Sequence, residues 1–187
     1  KNMGLCIPSY IPKRVNKARL LLLVDVGAHM IAFRQQVSAL IDAARDMPFN
    51  RMRILYFQGR PPYLRHQNFP QYGETWYLFT DPACEDALPL DELATEFSGS
   101  SVLILGDAGA SRVTYEIDGL FKYRDYVFRF LNDFAHAIPF IAWLNPYPPT
   151  RWSKTPAASI AGKVNMFPYT RTGLEAAIRV LRGQPAN

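Results

Sequence analysis

The sequence predicts an α/β fold: a three-layer αβα sandwich of the Rossmann-like kind, with a doubly wound, mostly parallel sheet. Short apolar runs such as residues 19–25 and 101–105 lack polar alternation, which is typical of strands buried on both faces. These runs alternate with stretches of helical periodicity. Strands that alternate with helices form parallel sheets through right-handed crossovers, and binding sites then form at the carboxyl ends of the strands.

The first half of the chain contains the predicted opening strand at residues 19–25. In residues 30–45 apolar side chains recur at three-to-four spacing, so a helix follows, and Pro48 ends it. A second strand is predicted at residues 53–57. The following segment is rich in Pro, Gly, Tyr and Asn, and residues 75–79 are its best candidate for a further, edge strand.

The second half repeats the alternation of strand and helix. A short helix at residues 91–97 precedes the buried strand 101–105, which leads into an acidic loop. An amphipathic helix is predicted at residues 123–137, and a strand at residues 140–144 ends in a proline-rich loop. The last predicted elements are a strand at residues 164–167 and a helix at residues 172–182.

Length and composition predict one globular domain at residues 19–187, preceded by an N-terminal arm or linker at residues 1–18. The chain has 187 residues, of which 49% are apolar, and this excludes disordered, collagenous and coiled-coil classes. No apolar run is long enough to span a membrane. Cys6 and Cys84 are far apart and lack metal-ligand spacing, so a cytoplasmic location is expected. The first residues lack a signal-peptide pattern and do not begin with Met, which we interpret as a piece of a longer chain.

The charge is modestly basic, with 21 basic and 16 acidic side chains. A basic run lies in the N-terminal arm, and a second arginine group is interleaved with Tyr56, Phe57 and Tyr63. The second pattern is compatible with a nucleic-acid surface, but alternate arginines beside an apolar strand are more often its solvated face. Nucleic acid is therefore not the expected partner. The second group consists of Arg51, Arg53, Arg60 and Arg65.

Two aspartates follow predicted parallel strands, Asp25 after the first and Asp107 after the strand at residues 101–105. In the usual strand order these strands are neighbours, so both carboxylates are expected at one rim. There they would either hold a divalent ion or cap free backbone N–H groups, and spacing does not decide between the two. His29 lies at the predicted first turn of the helix, where it is a ligand, a base or a hydrogen-bonded rim residue. A helix N-terminus there disfavours the imidazolium.

Several chemistries find no support in the motifs. No G-x-G-x-x-G turn or phosphate loop is complete, and a phosphatase-type second carboxylate two residues after Asp25 is replaced by Gly27. The serine-hydrolase elbow and the H-E-x-x-H motif are also missing. With no nucleophile nominated, the chain is not expected to be an enzyme.

The loop after the first strand resembles a known family. The run from Leu20 to Met30 looks like the first strand and D-x-S-x-S loop of a von Willebrand factor A (vWA) domain, in which a metal-ion-dependent adhesion site begins. The segment 102–110 is similar to the strand and loop that carry the family's second metal-site aspartate. Segments 141–146, 151–152 and 166–174 resemble the CoxE-like bacterial branch, whose members often accompany MoxR-type AAA ATPases. The resemblance implies that Asp25 and Asp107 correspond to metal-site positions.

The chain departs from this family pattern at two ligand positions. Gly27 and His29 stand where the family has serines, which removes two hard oxygen ligands, and imidazole suits transition metals better than magnesium. The first expectation is a non-catalytic interaction domain with a degenerate metal site and either no cofactor or a weakly bound divalent cation. Its implied partner is a protein, a MoxR-type ATPase or another domain of the same chain. The alternative is a metal-binding version in which Asp25, His29 and Asp107 hold an ion that bridges to the partner, with a metal-assisted hydrolase or nucleic-acid binder as less favoured functions.

The partner is expected to contact Asp25, Gly27, His29 and Asp107, and the proline-rich loop contains two further candidate binding residues, Arg151 and Trp152. Arginine and tryptophan often anchor interfaces, and proline stiffens the loop. The alternative is that Trp152 only covers the core.

Overall fold

The computed structural model describes residues 19–45, 51–65, 73–112, 117–136 and 138–186, and these form the predicted three-layer α/β sandwich. The predicted arm at residues 1–18 lies outside the described residues. The strands are β1 Arg19–Asp25, β2 Arg51–Phe57, β3 Tyr63–Arg65, β4 Glu74–Phe79, β5 Ala87–Pro89, β6 Ser101–Leu105, β7 Phe140–Asn145 and β8 Asn165–Pro168. The helices are α1 Arg34–Arg45, α2 Leu90–Phe97, α3 Ile117–Ala135, α4 Pro156–Ala161 and α5 Arg171–Leu181, with 3₁₀ turns at Ala28–Phe33 and Pro149–Arg151.

The sheet has the order β3-β4-β2-β1-β6-β7-β8, and β5 pairs with β4. Strands β2, β1, β6, β7 and β8 are parallel, whereas β4 is antiparallel to its neighbours β2, β3 and β5. After β1 the chain continues to β2 on one side of the sheet, and after β6 it continues to β7 on the other side. The carboxyl ends of β1 and β6 therefore lie side by side at the switch point, as the sequence predicted.

The central strand β1 shows why an unbroken apolar run is needed here. Leu21 and Leu23 pack into the core on the face covered by α2, α3 and α4. Leu20, Leu22 and Val24 pack into the opposite core, beneath α1 and α5. Because neighbouring side chains point to opposite faces, a strand covered on both sides has no position that tolerates an exposed polar group.

All the predicted strands and helices are present, with shifted ends, and the structure adds short ones. The expectation that the strand at residues 75–79 lies at the edge of the sheet was wrong, because β3 pairs along the outer side of β4. Strands β3 and β5 both pair with β4. Because each has three residues, neither is long enough to show an alternating sequence pattern. Helix α4 begins where the predicted proline-rich loop ends, and Pro156 occupies its first turn, a position that needs no N–H donor.

The described helices include none with the length and apolar character required to cross a bilayer. Cys84 is a free thiol in the loop between β4 and β5, and Cys6 lies outside the described residues.

Candidate functional site

Two buried carboxylates lie at the carboxyl edge of the sheet. Asp25 ends β1 and is 3% exposed, while Asp107 lies two residues beyond β6 and is 1% exposed. Since β1 and β6 pair in parallel register up to Val24 and Leu105, the two residues emerge at the same edge. The prediction of one shared rim is confirmed.

The Asp25 carboxylate organises the loops that follow β1 and β2. Its Oδ1 accepts hydrogen bonds from the backbone N–H groups of Gly27 and Gly59, both at 2.8 Å. Its Oδ2 lies 2.9 Å from Nε2 of His29. Asp25 thus joins two loops that are distant in sequence, a role that the sequence alone does not reveal.

The Asp107 carboxylate organises the turn that follows β6. Its Oδ1 accepts from the N–H of Gly109 at 2.9 Å, and its Oδ2 accepts from both the N–H and the hydroxyl of Ser111. Its carbonyl oxygen accepts from Nδ2 of Asn145, at the end of β7, at 2.7 Å. The backbone-capping interpretation therefore describes part of what this residue does.

His29 joins the two carboxylates. Its Nε2 lies 2.9 Å from Oδ2 of Asp25 and 3.3 Å from Oδ1 of Asp107, and its side chain is 23% exposed. Hydrogen bonds to Asp107 and Asp25, with the negative charges of both, raise the pKa of His29 to about 10 against the opposing effect of partial burial. The sequence-based expectation that a helix N-terminus disfavours the imidazolium was wrong, because two carboxylates outweigh the dipole of one 3₁₀ turn.

The same contacts affect Asp107 in the opposite direction. Burial by itself raises the pKa of this carboxyl group. Hydrogen bonds from His29 and Ser111 and the positive charge of His29 outweigh that effect, so the pKa is lowered to about 2. The raised pKa of His29 and the lowered pKa of Asp107 both favour the charged forms of this pair at neutral pH. Asp25, His29 and Asp107 together are called the centre below.

Gly27 provides the space for the imidazole. A Cβ atom at this position would lie 2.5 Å from Cε1 and 2.9 Å from Nδ1 of His29, distances that real Cβ atoms do not show. The ring of His29 therefore folds back over the backbone of Gly27. A side chain at position 27 would therefore require the ring of His29 to move.

The residues present do not fit the magnesium site that the family resemblance implies. Position 27 offers no hydroxyl, and its side-chain volume is taken by the His29 ring. Magnesium requires an octahedron of hard oxygen ligands, whereas this centre offers one nitrogen and two carboxylates. One ligand atom from each of Asp25, His29 and Asp107 lies within 4.8 Å of the others, a set that a transition metal accepts more readily.

The two loop candidates are placed differently from each other. Trp152 is 8% exposed, belongs to the core and donates its indole N–H to the carbonyl of Tyr147 at 2.9 Å. The guanidinium of Arg151 is exposed and lies 5.3 Å from the centre of the Tyr147 ring. Of the two, Arg151 is the one placed to contact a partner.

Several residues around the centre were not predicted. Gly59 has a left-handed φ of 69°, and its carbonyl accepts from the hydroxyl of Tyr123 on α3 at 3.0 Å. Burial raises the pKa of Tyr123 far above its ordinary value, so this hydroxyl remains a donor. Arg112 and Asn145 also lie beside the centre. The only sequence signal for Gly59 was its place directly after a predicted strand.

Comparison of the chain with protein-family models, with curated proteins and with solved structures finds no match.

Proposed function

We propose that this chain is a non-catalytic protein-protein interaction domain of the vWA type in which the His29 imidazolium takes the place of the metal ion. One observation carries the proposal: Nε2 of His29 lies between the buried carboxylates of Asp25 and Asp107, at 2.9 and 3.3 Å. In the family pattern, a cation joins these two positions to a partner. Here a side chain of the domain itself provides the positive charge.

The hydrogen bonds of the centre support this proposal because every carboxylate oxygen already accepts a donor. Oδ1 of Asp25 faces two backbone N–H groups, and Oδ2 faces His29. Oδ1 of Asp107 faces a backbone N–H and His29, and Oδ2 faces Ser111. An ion would compete with the imidazole for Oδ2 of Asp25 and Oδ1 of Asp107, and displacing the ring would remove the charge that compensates them.

The proposal implies a partner that does not supply a metal ligand. A MoxR-type AAA ATPase and a neighbouring domain of the same chain are the partner classes that the resemblance suggests. Contact would be made by the loops after β1, β2, β6 and β7, which the centre holds together. Binding would therefore be insensitive to chelators.

Ion titration of a restored variant tests the proposal. Gly27→Ser/His29→Ser recreates the D-x-S-x-S pattern and removes the ring that blocks position 27. We expect calorimetric titration of the metal-stripped wild type with magnesium or manganese to give no heat of binding, and the double variant to acquire one site. The same double variant with Asp107→Asn is the control, which should lose the acquired site.

Two outcomes would contradict the proposal. One is stoichiometric magnesium or manganese binding by the wild type with His29 intact. The other is a folded double variant that binds neither ion, because the imidazole would then not be what excludes them.

The second candidate is a domain that binds a transition metal through His29. The three ligand atoms within 4.8 Å of one another favour it. Zinc must compete with a proton for Nε2, so the raised pKa of His29 opposes this function at neutral pH. A one-to-one zinc isotherm that disappears in His29→Gln, together with chelator-sensitive partner binding, would favour it over the first.

A further inference from the structure

We infer that the rim around this centre binds an acidic peptide segment of a protein partner, and that Arg60 and Arg112 form the carboxylate-binding fork. This inference rests on the proposed function and names the chemistry of the partner. Two arginines lie near Gly59: Arg60 follows it in the sequence, and Nη2 of Arg112 would be 3.5 Å from a Cβ atom on it. Both are exposed.

Arg112 is held directly beside His29 by stacking on Tyr123. Its guanidinium carbon lies 4.3 Å from the centre of the Tyr123 ring. A Cβ atom on Gly59 would lie 3.5 Å from Nη2 of Arg112 and 3.5 Å from Cε1 of His29, so both side chains border the same small space. A carboxylate that enters this space meets the guanidinium of Arg112 and the edge of the His29 ring together.

Arg60 is held in the same way, by stacking on a tyrosine one turn further along α3. Its guanidinium carbon lies 4.3 Å from the centre of the Tyr126 ring, and the Tyr126 hydroxyl accepts from the N–H of Tyr63 at 2.7 Å. Tyr123 and Tyr126 are three residues apart on α3 and therefore share one face of that helix. Stacking restricts both guanidinium groups before any partner arrives, which lowers the entropy cost of binding.

Across the described parts of the chain, Arg60 and Arg112 form no ion pair, in contrast to Arg51 and Arg53, which both pair with Glu96. The carboxylates of Asp25 and Asp107 are buried and already face His29. The exposed positive charge is therefore available to an anion from outside, and Arg151 on the loop after β7 adds to it.

An acidic peptide fits this surface better than nucleic acid does. Nucleic-acid surfaces combine cations with open aromatic faces on which bases stack. Here the ring faces of Tyr123 and Tyr126 carry guanidinium groups, and Tyr123 is only 4% exposed. What remains accessible are planar donors whose geometry matches a carboxylate.

Fluorescence anisotropy with defined probes tests the inference. The probes are a short fluorescein-labelled peptide of alternating Glu and Gly, the same peptide with Gln in place of Glu, and a labelled oligothymidylate of equal charge. We expect the Glu peptide to bind the wild-type chain in low salt and the Gln peptide not to bind. Arg60→Gln/Arg112→Gln should weaken binding of the Glu peptide by about tenfold or more.

The matched control removes the same charge elsewhere. Lys163→Gln/Arg182→Gln neutralises two exposed cations, one just before β8 and one at the end of α5, on the opposite edge of the sheet. This variant should bind the Glu peptide within about twofold of wild type, allowing for the general effect of net charge. Equal losses in both double variants would overturn the inference, as would tighter binding of the oligothymidylate that also depends on Arg60 and Arg112.

Repeating the titration with a chelator separates the inference from the proposed function. Peptide binding that survives chelation but is unchanged in Arg60→Gln/Arg112→Gln would overturn the arginine fork and leave the metal-independent domain standing. Binding that depends on Arg60 and Arg112 but disappears with chelator would overturn the metal-independent function and leave the fork standing. The inference expects binding that is sensitive to the rim variants and insensitive to the chelator.

Discussion

The imidazolium at the centre predicts a specific pH dependence of stability, which His29→Gln should remove. Glutamine keeps a hydrogen-bond donor near the carboxylates but cannot carry charge. The pKa of His29 rises from 6.5 to about 10 on folding. At about 1.4 kcal/mol per pKa unit, charge on this ring contributes at most about 5 kcal/mol to the free energy of unfolding. Because the side chain is 23% exposed, solvent screens part of this, and we expect about 2 to 3 kcal/mol.

The sign follows from the raised pKa. The contribution is complete below pH 6.5, where the imidazole would be charged even in the unfolded chain, and it is lost as pH rises toward 10. Wild type should therefore exceed His29→Gln most at about pH 6, and the two free energies should converge near pH 10. Asp107 acts at the other end of the scale: its pKa is lowered, so its contribution is present above about pH 4 and is lost as pH falls toward 2.

Urea unfolding at a series of pH values measures this difference. The free energies of wild type and His29→Gln are compared between pH 6 and pH 10, so that groups common to both chains cancel. His136→Gln, which removes an exposed histidine just beyond α3, is the matched control and should follow the wild-type curve. A difference between wild type and His29→Gln that stays constant across this range would refute a charged His29 in the folded state.

Two further predictions concern other parts of the fold. Gly109→Ala should lower the free energy of unfolding by about 2 to 3 kcal/mol, because φ is +77° and the new Cβ would lie 2.8 Å from Cε1 of Tyr123. The control is Gly119→Ala, in open space on α3, which should be neutral or slightly stabilising. Denaturant titration of both variants and the wild type measures the difference. Burial and the charges of nearby acids raise the pKa of Cys84 to about 11, so in a Cys6→Ser background iodoacetamide at pH 8.5 should alkylate the native thiol on the order of 100-fold more slowly than the urea-unfolded thiol. Equal alkylation rates would contradict the latter.

The carboxylate positions were predictable because they depend on local patterns. Asp25 and Asp107 follow apolar runs whose strand character is visible in the sequence, and the parallel order of such strands places their ends together. The position of His29 between them was not predictable. It depends on the spacing of two strands in the folded sheet and on the space left at Gly27, and neither leaves a periodic signal.

The arginine fork shows a second limit of sequence reasoning. The pattern groups Arg60 with the nearby Tyr63, but the guanidinium stacks on Tyr126, and the ring of Tyr63 carries Arg129 instead. Contacts between α3 and the loop after β2 join residues more than sixty positions apart, as the Tyr123 to Gly59 hydrogen bond does. The interpretation of Arg51 and Arg53 as the polar flank of a strand needed no such contact, and both pair with Glu96.

In the sequence, the departures at positions 27 and 29 read as two separate losses of a metal ligand. In the folded chain they are one change, because the imidazole of His29 needs the volume that Gly27 leaves. Two buried carboxylates with neither an ion nor a cation would repel each other and destabilise the fold. Here both aspartates are hydrogen-bonded on every oxygen. On the proposed function, the positive charge that a partner meets has therefore moved outward, from an ion above the carboxylates to guanidinium groups at the rim.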